Sequence, residues 1–226
     1  MGEDTMEQVH KPYGPYEKYF KRPLDIFCGL LAVIVFSWLY VIVAILVRVK
    51  LGSPVIFKQP RPGKGEKIFN LYKFRSMTDE RDDNGELLPD EVRLTKFGRL
   101  LRATSLDELP EVFNILKGDM SVVGPRPLMA RYLKYYNDVE KRRHDVRPGL
   151  SGYAQIHGRN DVNWDERLKL DIYYVDHVSF IMDIRILLDT VLVVLKRDGI
   201  STDEMENFDD FRKKQWEMDA EKDARV

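Results

Sequence analysis

Two carboxylates stand side by side in Ser105-Leu106-Asp107-Glu108-Leu109-Pro110, at the head of an apolar-periodic stretch over 108–117. Paired acids of this kind hold a divalent cation or attack an electrophile. They also have a purely structural use, because Ser105 and Glu108 have capping-box spacing and the helix dipole favours acids in a first turn. Pro110 conflicts with a helix capped at Ser105, since it would occupy the fifth position, where its ring and missing N–H cost stability. A start near Asp107 removes the conflict and leaves the dyad at a helix mouth. Backbone N–H groups there attract anions once a cation offsets the carboxylates. From these residues alone, cap and chemistry both stay open.

A set of cations in rigid or turn-like contexts weighs toward chemistry: Lys73, Arg75, Arg102, Arg126 in Gly124-Pro125-Arg126-Pro127, Arg147 in Arg147-Pro148-Gly149, and Arg159 in Gly158-Arg159-Asn160. Arginine offers a planar donor fork to phosphate oxygens, and the prolines beside Arg126 reduce the entropy of aiming it. With the paired carboxylates these residues imply a diphosphate bound through Mg²⁺, for which Asp107 and Glu108 are the candidate ligands. A second acidic pattern, Glu80, Asp82, Asn84, Gly85 and Glu91, has calcium-loop spacing. Its first position lacks Asp and a strand pattern precedes it, where that motif needs a helix. The four histidines show no metal-ligand spacing, and no glycine-rich dinucleotide or Walker pattern follows a strand.

The elements that must position these groups are read from periodicity. Residues 54–59 and 67–74 alternate apolar with polar around Pro62-Gly63 and Gly65, which predicts a hairpin. The seven carboxylates of 79–91 predict a solvated loop. Helices are expected over 94–103, 108–117 and 127–144, and the breaker-rich stretch from Arg147 to Asn160 as a structured loop. From Asp183, the residues Ile184, Leu187, Leu188, Val191, Leu192 and Leu195 fall at helical spacing. Such a stripe packs in a core or lies in a membrane interface.

Ile26 to Val47 carries no charge and has basic residues at both ends, with Lys18, Lys21 and Arg22 before it and Arg48 and Lys50 after it. A helix over that run would measure about 33 Å, enough to cross a bilayer. Cytoplasmic flanks attract Lys and Arg, so a crossing helix would strand one basic cluster, whereas a re-entrant helix satisfies both. A helix with its N-terminus outside remains the alternative. The expected organisation is a flexible leader over 1–17, a membrane-inserted helix over 18–50, one catalytic domain over 51–199 and a frayed, charged tail over 200–226. A net charge of −1 from 36 basic and 37 acidic residues excludes the global basicity of a nucleic-acid binder. The lone Cys28 excludes a disulfide framework.

Five motifs in one order, Lys73-Phe74-Arg75-Ser76-Met77, Ser105-Leu106-Asp107-Glu108-Leu109-Pro110, Lys117-Gly118-Asp119-Met120-Ser121, Gly124-Pro125-Arg126-Pro127 and Arg147-Pro148-Gly149, carry a resemblance. The chain resembles the bacterial sugar transferase family, the monotopic polyprenyl-phosphate phosphoglycosyl transferases, in its short single-domain form. The resemblance covers Lys18 to Lys196. It implies a helix-rich α/β (α+β) fold with a small β-hairpin, a re-entrant N-terminal helix and interfacial amphipathic helices. It also implies an enzyme on the cytoplasmic face of a bacterial inner membrane. Such an enzyme moves a phosphosugar from a UDP-sugar to polyprenyl phosphate, releases UMP, and so begins glycoconjugate assembly. The aspartate matching Asp107 is then the nucleophile, and the glutamate matching Glu108 serves Mg²⁺. Members of this kind place Ser-Pro at the bend of the membrane helix. Here Trp38 follows Ser37 and the run holds no proline, so the Ser37 hydroxyl, with Gly29 nearby, is what remains to bend it. The rival readings are a membrane-anchored interaction protein and a diphosphate-sugar hydrolase. Sugar identity, polyprenol length and oligomeric state are not written in these residues.

Overall fold

The computed structural model describes residues 14–157, 162–196 and 207–223. The apolar run is two helices, α1 (Lys21–Val35), preceded by a wide helical turn over Tyr16–Phe20, and α2 (Ser37–Leu51), bent by 66° at Phe36. Ser37 Oγ donates to the Ile34 carbonyl at 3.0 Å, the back-bonding by which serine bends a helix without proline. Among the described residues no single helix is long and apolar enough to cross a membrane, but this bent pair passes that test together. Ile34, Val35, Phe36, Trp38 and Val49 are exposed on it, an apolar surface of the kind a bilayer covers. This is the geometry that the re-entrant expectation requires.

One face of the pair is held by polar contacts with the domain. Lys21 Nζ lies 2.5 Å from Asp183 Oδ2, and that carboxylate also accepts from Tyr16 and Tyr174 hydroxyls at 2.7 and 2.8 Å. Asp25 accepts from Ser121 Oγ and the Val122 N–H, both at 2.9 Å. Arg22 donates to the carbonyls of Ile115 and Leu116 at 2.6 and 2.9 Å. In sequence Lys21 and Arg22 entered only as part of the basic cluster that flanks the apolar run. In the fold both are committed to protein partners, because buried carboxylates and the open carbonyls at a helix end require donors. Gly29 permits the close crossing of α1 over α5 (Glu111–Lys117): an added Cβ would stand 2.9 Å from Leu116 Cδ2.

Strands β1 (Ile56–Pro62) and β2 (Ile68–Phe74) form the expected antiparallel hairpin, in register from Ile56 opposite Phe74 to Pro62 opposite Ile68. β1 runs three residues past the predicted end at Gln59 and tolerates two prolines because it is an edge strand. The loop that follows contains the turn α3 (Asp90–Arg93) and leads to α4 (Lys96–Ala103), whose Thr95 side chain caps Gly98 N–H at 3.1 Å. Buried Val43, Val47 and Leu51 of α2 pack on Phe74 and Leu101, so the apolar pair shares a core with β2 and α4.

Several expected elements differ. Residues 127–144 are not one helix but 3₁₀ turns at Ala130–Tyr135 and Arg142–His144 flanking α6 (Asp138–Lys141). Asn137 breaks the run because it forms a capping box with Glu140, and a local cap outcompetes weak helix continuation. The supposed loop after Arg147 contains β4 (Gly149–Ser151), parallel to β3 (Ser121–Val123), and α7 (Tyr153–His157). Gly149 makes that pairing possible, since a Cβ there would lie 2.0 Å from Gly124 N. Helices α8 (Trp164–Asp176) and α9 (Phe180–Lys196) follow, and residues read as frayed tail fold into α10 (Phe208–Asp223), anchored by fully buried Phe208. On α9, Asp183 and Ile186 are buried while Ile184, Leu188, Val191 and Leu192 are exposed. Most of the apolar stripe therefore stays outside the core, as the interfacial reading requires. Trp164 and Tyr174 pack inside. Of the flexible leader expected over 1–17, residues 1–13 lie outside the described residues, while Tyr16 already belongs to the helical turn before α1 and is tied to Asp183.

Removing one partner of a buried ion pair strands the other. Asp183→Asn, which leaves Lys21 without a counter-charge, is expected to cost about 3–5 kcal/mol of stability. The check is the thermal unfolding midpoint of the detergent-solubilised protein, and an unchanged midpoint would contradict the hub role of Asp183.

Candidate active site

The dyad sits on a single 3₁₀ turn, Leu106–Glu108, between α4 and α5. Ser105 enters it with φ 53° and its side chain caps nothing, so the capping-box reading fails. α5 begins at Glu111, later than the sequence suggested, because Pro110 is tolerated just ahead of a helix, where its missing N–H leaves no bond unmade. Tyr40 of α2 donates its hydroxyl to the Leu109 carbonyl at 2.7 Å, fixing the turn against the bent pair. On the other side, Asn114 of α5, fully buried, accepts from Tyr72 N–H at 3.0 Å and donates to the Asn70 carbonyl at 2.8 Å. α5 is thereby riveted to β2, and Lys73 arrives beside the acids.

Glu108 Oε1 accepts from Lys73 Nζ at 2.7 Å and, in a shorter contact, from Arg126 Nη2. Lys73 Nζ also lies 3.3 Å from Oε1 of Glu111, which is 2 % exposed and whose Oε1 accepts no hydrogen bond. Asp107, 7 % exposed, has no ion pair among the described residues. Three carboxylates thus share two cations. Burial would raise Glu108, but Arg126 and Lys73 outweigh it and hold its carboxyl down to about 2. Burial, reinforced by Glu108, pushes Glu111 up to about 7. Burial likewise raises Asp107, opposed chiefly by Lys73. The division is physical: the acid that has both cations keeps its charge, and the deeper one, with a share of Lys73 alone, holds its proton to a higher pH. Asp107 is left as a buried carboxyl with a backbone hydrogen bond but no cation paired to it, which leaves oxygen lone pairs open toward the site.

Arg126 is aimed from behind as well as by its flanking prolines. Arg143 Nη2 donates to the Arg126 carbonyl at 2.7 Å while Arg143 itself pairs with Asp171 at 2.8 Å, both side chains being buried. Arg102 donates Nε to Ser76 Oγ at 2.9 Å, and its charge acts on Asp107. The other predicted contacts are elsewhere. Arg75 pairs with Asp79 at 2.6 Å. Arg147 donates Nε to the Gly118 carbonyl at 2.9 Å, beyond the opposite end of α5, satisfying a chain-end acceptor. Arg159 lies outside the described residues. Glu111, Asn114, Arg143 and Asp171 were not singled out from sequence. Only Glu111 carried a local signal, lying four residues after Asp107. Arg61 was also missed: its Nε is buried without a hydrogen-bond partner, and its charge is felt by Arg126 and Glu111.

Among the described residues, no group of three or more His, Cys, Asp or Glu gathers to hold a metal ion. Mg²⁺ needs fewer, binding through one or two carboxylates with phosphate oxygens and water completing its shell. Both hydrogen bonds to Glu108 fall on Oε1 and Asp107 is unpaired, so the dyad has oxygens to offer such an ion. The calcium-like pattern is a closed turn instead, with Asp82 Oδ1 accepting from the N–H groups of Asn84 and Glu86 at 2.9 Å each.

A carboxylate dyad on a 3₁₀ turn, pinned by Tyr40 to the bent helix pair and faced by Lys73 and Arg126, makes a compact charged site beside an exposed apolar surface. The profile of the bacterial sugar transferase family matches residues 16–197. The chain is 53 % identical over 180 residues to the uncharacterized sugar transferase EpsL of Bacillus subtilis, covering 80 % of this chain and 89 % of that protein. It is 37 % identical over 193 residues to the UDP-N-acetylgalactosamine-undecaprenyl-phosphate N-acetylgalactosaminephosphotransferase of Aeromonas hydrophila, and 37 % identical over 190 residues to the UDP-glucose:undecaprenyl-phosphate glucose-1-phosphate transferase of Klebsiella pneumoniae. Those alignments cover 82 % and 80 % of this chain but only 46 % and 41 % of the two enzymes. The chain belongs to the bacterial sugar transferase family.

Because Glu111 has its carboxyl raised to about 7 in the fold, its contribution to stability is complete below its unfolded value of about 4.5 and is lost as pH rises through 7. Glu111→Gln cannot ionise. Its thermal midpoint is expected to gain on that of the unmodified chain between pH 4.5 and pH 8, by about 2 °C or more. A gap that does not change with pH would show that Glu111 is charged throughout.

Proposed function

We propose that this chain is a polyprenyl-phosphate phosphoglycosyl transferase that takes a UDP-sugar as donor and polyprenyl phosphate as acceptor, with its domain on the cytoplasmic face of a bacterial inner membrane. The observation that carries the reading is Asp107, buried and unpaired beside a Glu108 held by Lys73 and Arg126. It is supported by relatives whose names describe transfer of sugar phosphates to undecaprenyl phosphate.

The chemistry follows from the charges. A carboxylate and a diphosphate repel each other, so attack requires the phosphate charge to be neutralised first. Arg126, Lys73 and Arg102 supply cations from the protein. Glu108, with Asp107 beside it, would hold Mg²⁺, which would supply the remaining charge neutralisation. A carboxylate oxygen of Asp107 attacks the phosphorus that bears the sugar. The bond from that phosphorus to the bridging oxygen breaks, and UMP leaves with the electron pair. A phosphate oxygen of the polyprenyl phosphate then attacks the same phosphorus, breaking the bond to Asp107 and restoring its carboxylate. Splitting one displacement between two bulky anions into two steps lets the lipid enter after the nucleotide has gone.

Incubation with Mg²⁺ and UDP-glucose, UDP-galactose or UDP-N-acetylgalactosamine, without lipid, is expected to release one UMP per protein and add the phosphosugar mass. Asp107→Asn should lose both signals, and Arg126→Ala should lower kcat by about 10²–10³. Turnover that requires lipid, with no mass added to the protein by any of these donors, would make Asp107 a general base for direct lipid attack instead.

A further inference from the structure

Helix α10 lies beyond the family match, which ends at residue 197. Its contacts lead back to the site. Phe208 stacks on Tyr136 with ring centroids 5.2 Å apart and meets Tyr132 and Trp164 at 5.4 and 5.1 Å. Four residues on, the nearly buried Arg212 donates Nη2 to Glu140 Oε1 of α6 at 2.6 Å. Just before the helix, Asn207 Oδ1 accepts from the Tyr132 hydroxyl at 3.3 Å. Tyr136 is therefore gripped by α10, and the Arg143 guanidinium lies against its ring, 5.7 Å from the centroid. Arg143 is the group that pairs with Asp171 and donates to the Arg126 carbonyl.

We propose that α10 is a positioning clamp for Arg126. Phe208 holds Tyr136, Tyr136 holds Arg143 against Asp171, and Arg143 fixes the Arg126 main chain so that its guanidinium meets Glu108 and the donor diphosphate. The prolines on either side stiffen that segment, and the Arg143 hydrogen bond supplies what they lack, an anchor to the rest of the fold. This assignment rests on the transferase reading given above. Arg143, Tyr136 and Phe208 are positioning residues in it and touch no substrate. A displacement of order 1 Å in such a group costs about 10²-fold in rate, so a partial loosening is expected to cost about 10-fold.

The test is a double-mutant cycle on the full chain, reading UMP release with UDP-glucose, UDP-galactose and UDP-N-acetylgalactosamine, with Mg²⁺ and undecaprenyl phosphate. Phe208→Ala should lower kcat about 10-fold while changing the donor KM less, at a temperature where its thermal midpoint shows it folded. In the Arg126→Ala background the same change should alter kcat by less than about twofold, since the group it positions is gone. Where Phe208→Ala fails to fold, Phe208→Leu keeps apolar volume, loses the stack and carries the same cycle. Losses that multiply across the cycle, or full kcat in the folded Phe208 variant, would overturn the clamp. An unmodified chain that turns over none of the three donors would sink the transferase reading and the clamp with it, whereas an active chain with multiplying losses would sink the clamp alone.

Discussion

The charge on Glu108 is the constraint to which the rest of the structure answers. Its carboxylate is compensated by two cations from distant parts of the chain, Lys73 at the end of a strand and Arg126 in a proline-framed turn. Each must be delivered by its own supports. The Asn114 side chain rivets α5 to β2 and so brings Lys73 to the acids, while the Arg143 contact fixes the backbone of Arg126. With Arg126 on Glu108 and Lys73 shared between Glu108 and Glu111, Asp107 has no cation of its own and the Glu111 carboxyl is pushed up to about 7. One shared ion cluster thereby gives three neighbouring acids three different electrostatic environments.

How much of this was legible from sequence depended on range. The dyad, the hairpin and the apolar run were legible because each is a local pattern of type and spacing. The family resemblance rested on the same local motifs, and the family match bears it out. The capping box was a local pattern too, and it misled: Pro110 delays α5, so Ser105 ends in a left-handed turn rather than at a helix cap. Local reading also could not see that Lys73 and Glu108, 35 residues apart, share a hydrogen bond. Nor could it find Asn114, a polar residue inside an apolar stripe that closes the strand edge of another element. Arg75 and Arg147 looked equivalent to Arg126 in sequence. What separates them is the acceptor each one meets in the fold, an acidic loop residue and a helix-end carbonyl.

The same limit explains the two ends of the chain. The charged composition of α10 suggested a frayed tail, yet one buried Phe and one Arg paired to Glu140 are enough to dock it. At the other end, Lys21 and Arg22 were counted as basic flanks under a statistical rule that takes no account of tertiary partners. Helix α9 illustrates the converse: periodicity located its apolar stripe, and only the fold reveals that most of it stays uncovered. Apolar surface on α9 and on the bent pair is what ties the catalytic domain to a lipid surface in the reading offered here.

The bend at Phe36 has a further consequence. A proline would lock the kink through its own ring, whereas a lone serine hydroxyl contributes only about 1 kcal/mol, too little to define an angle by itself. The 66° angle is therefore imposed by what grips each arm: Asp25, Lys21 and Arg22 on the first, Tyr40 and the Val43–Val47–Leu51 face on the second. The shape of the hairpin is a tertiary property, absent from an isolated peptide of the same sequence. The angle of the bend and the seating of the turn that bears the dyad then belong to a single cooperative equilibrium, in which anything that favours the bent form also stabilises the fold.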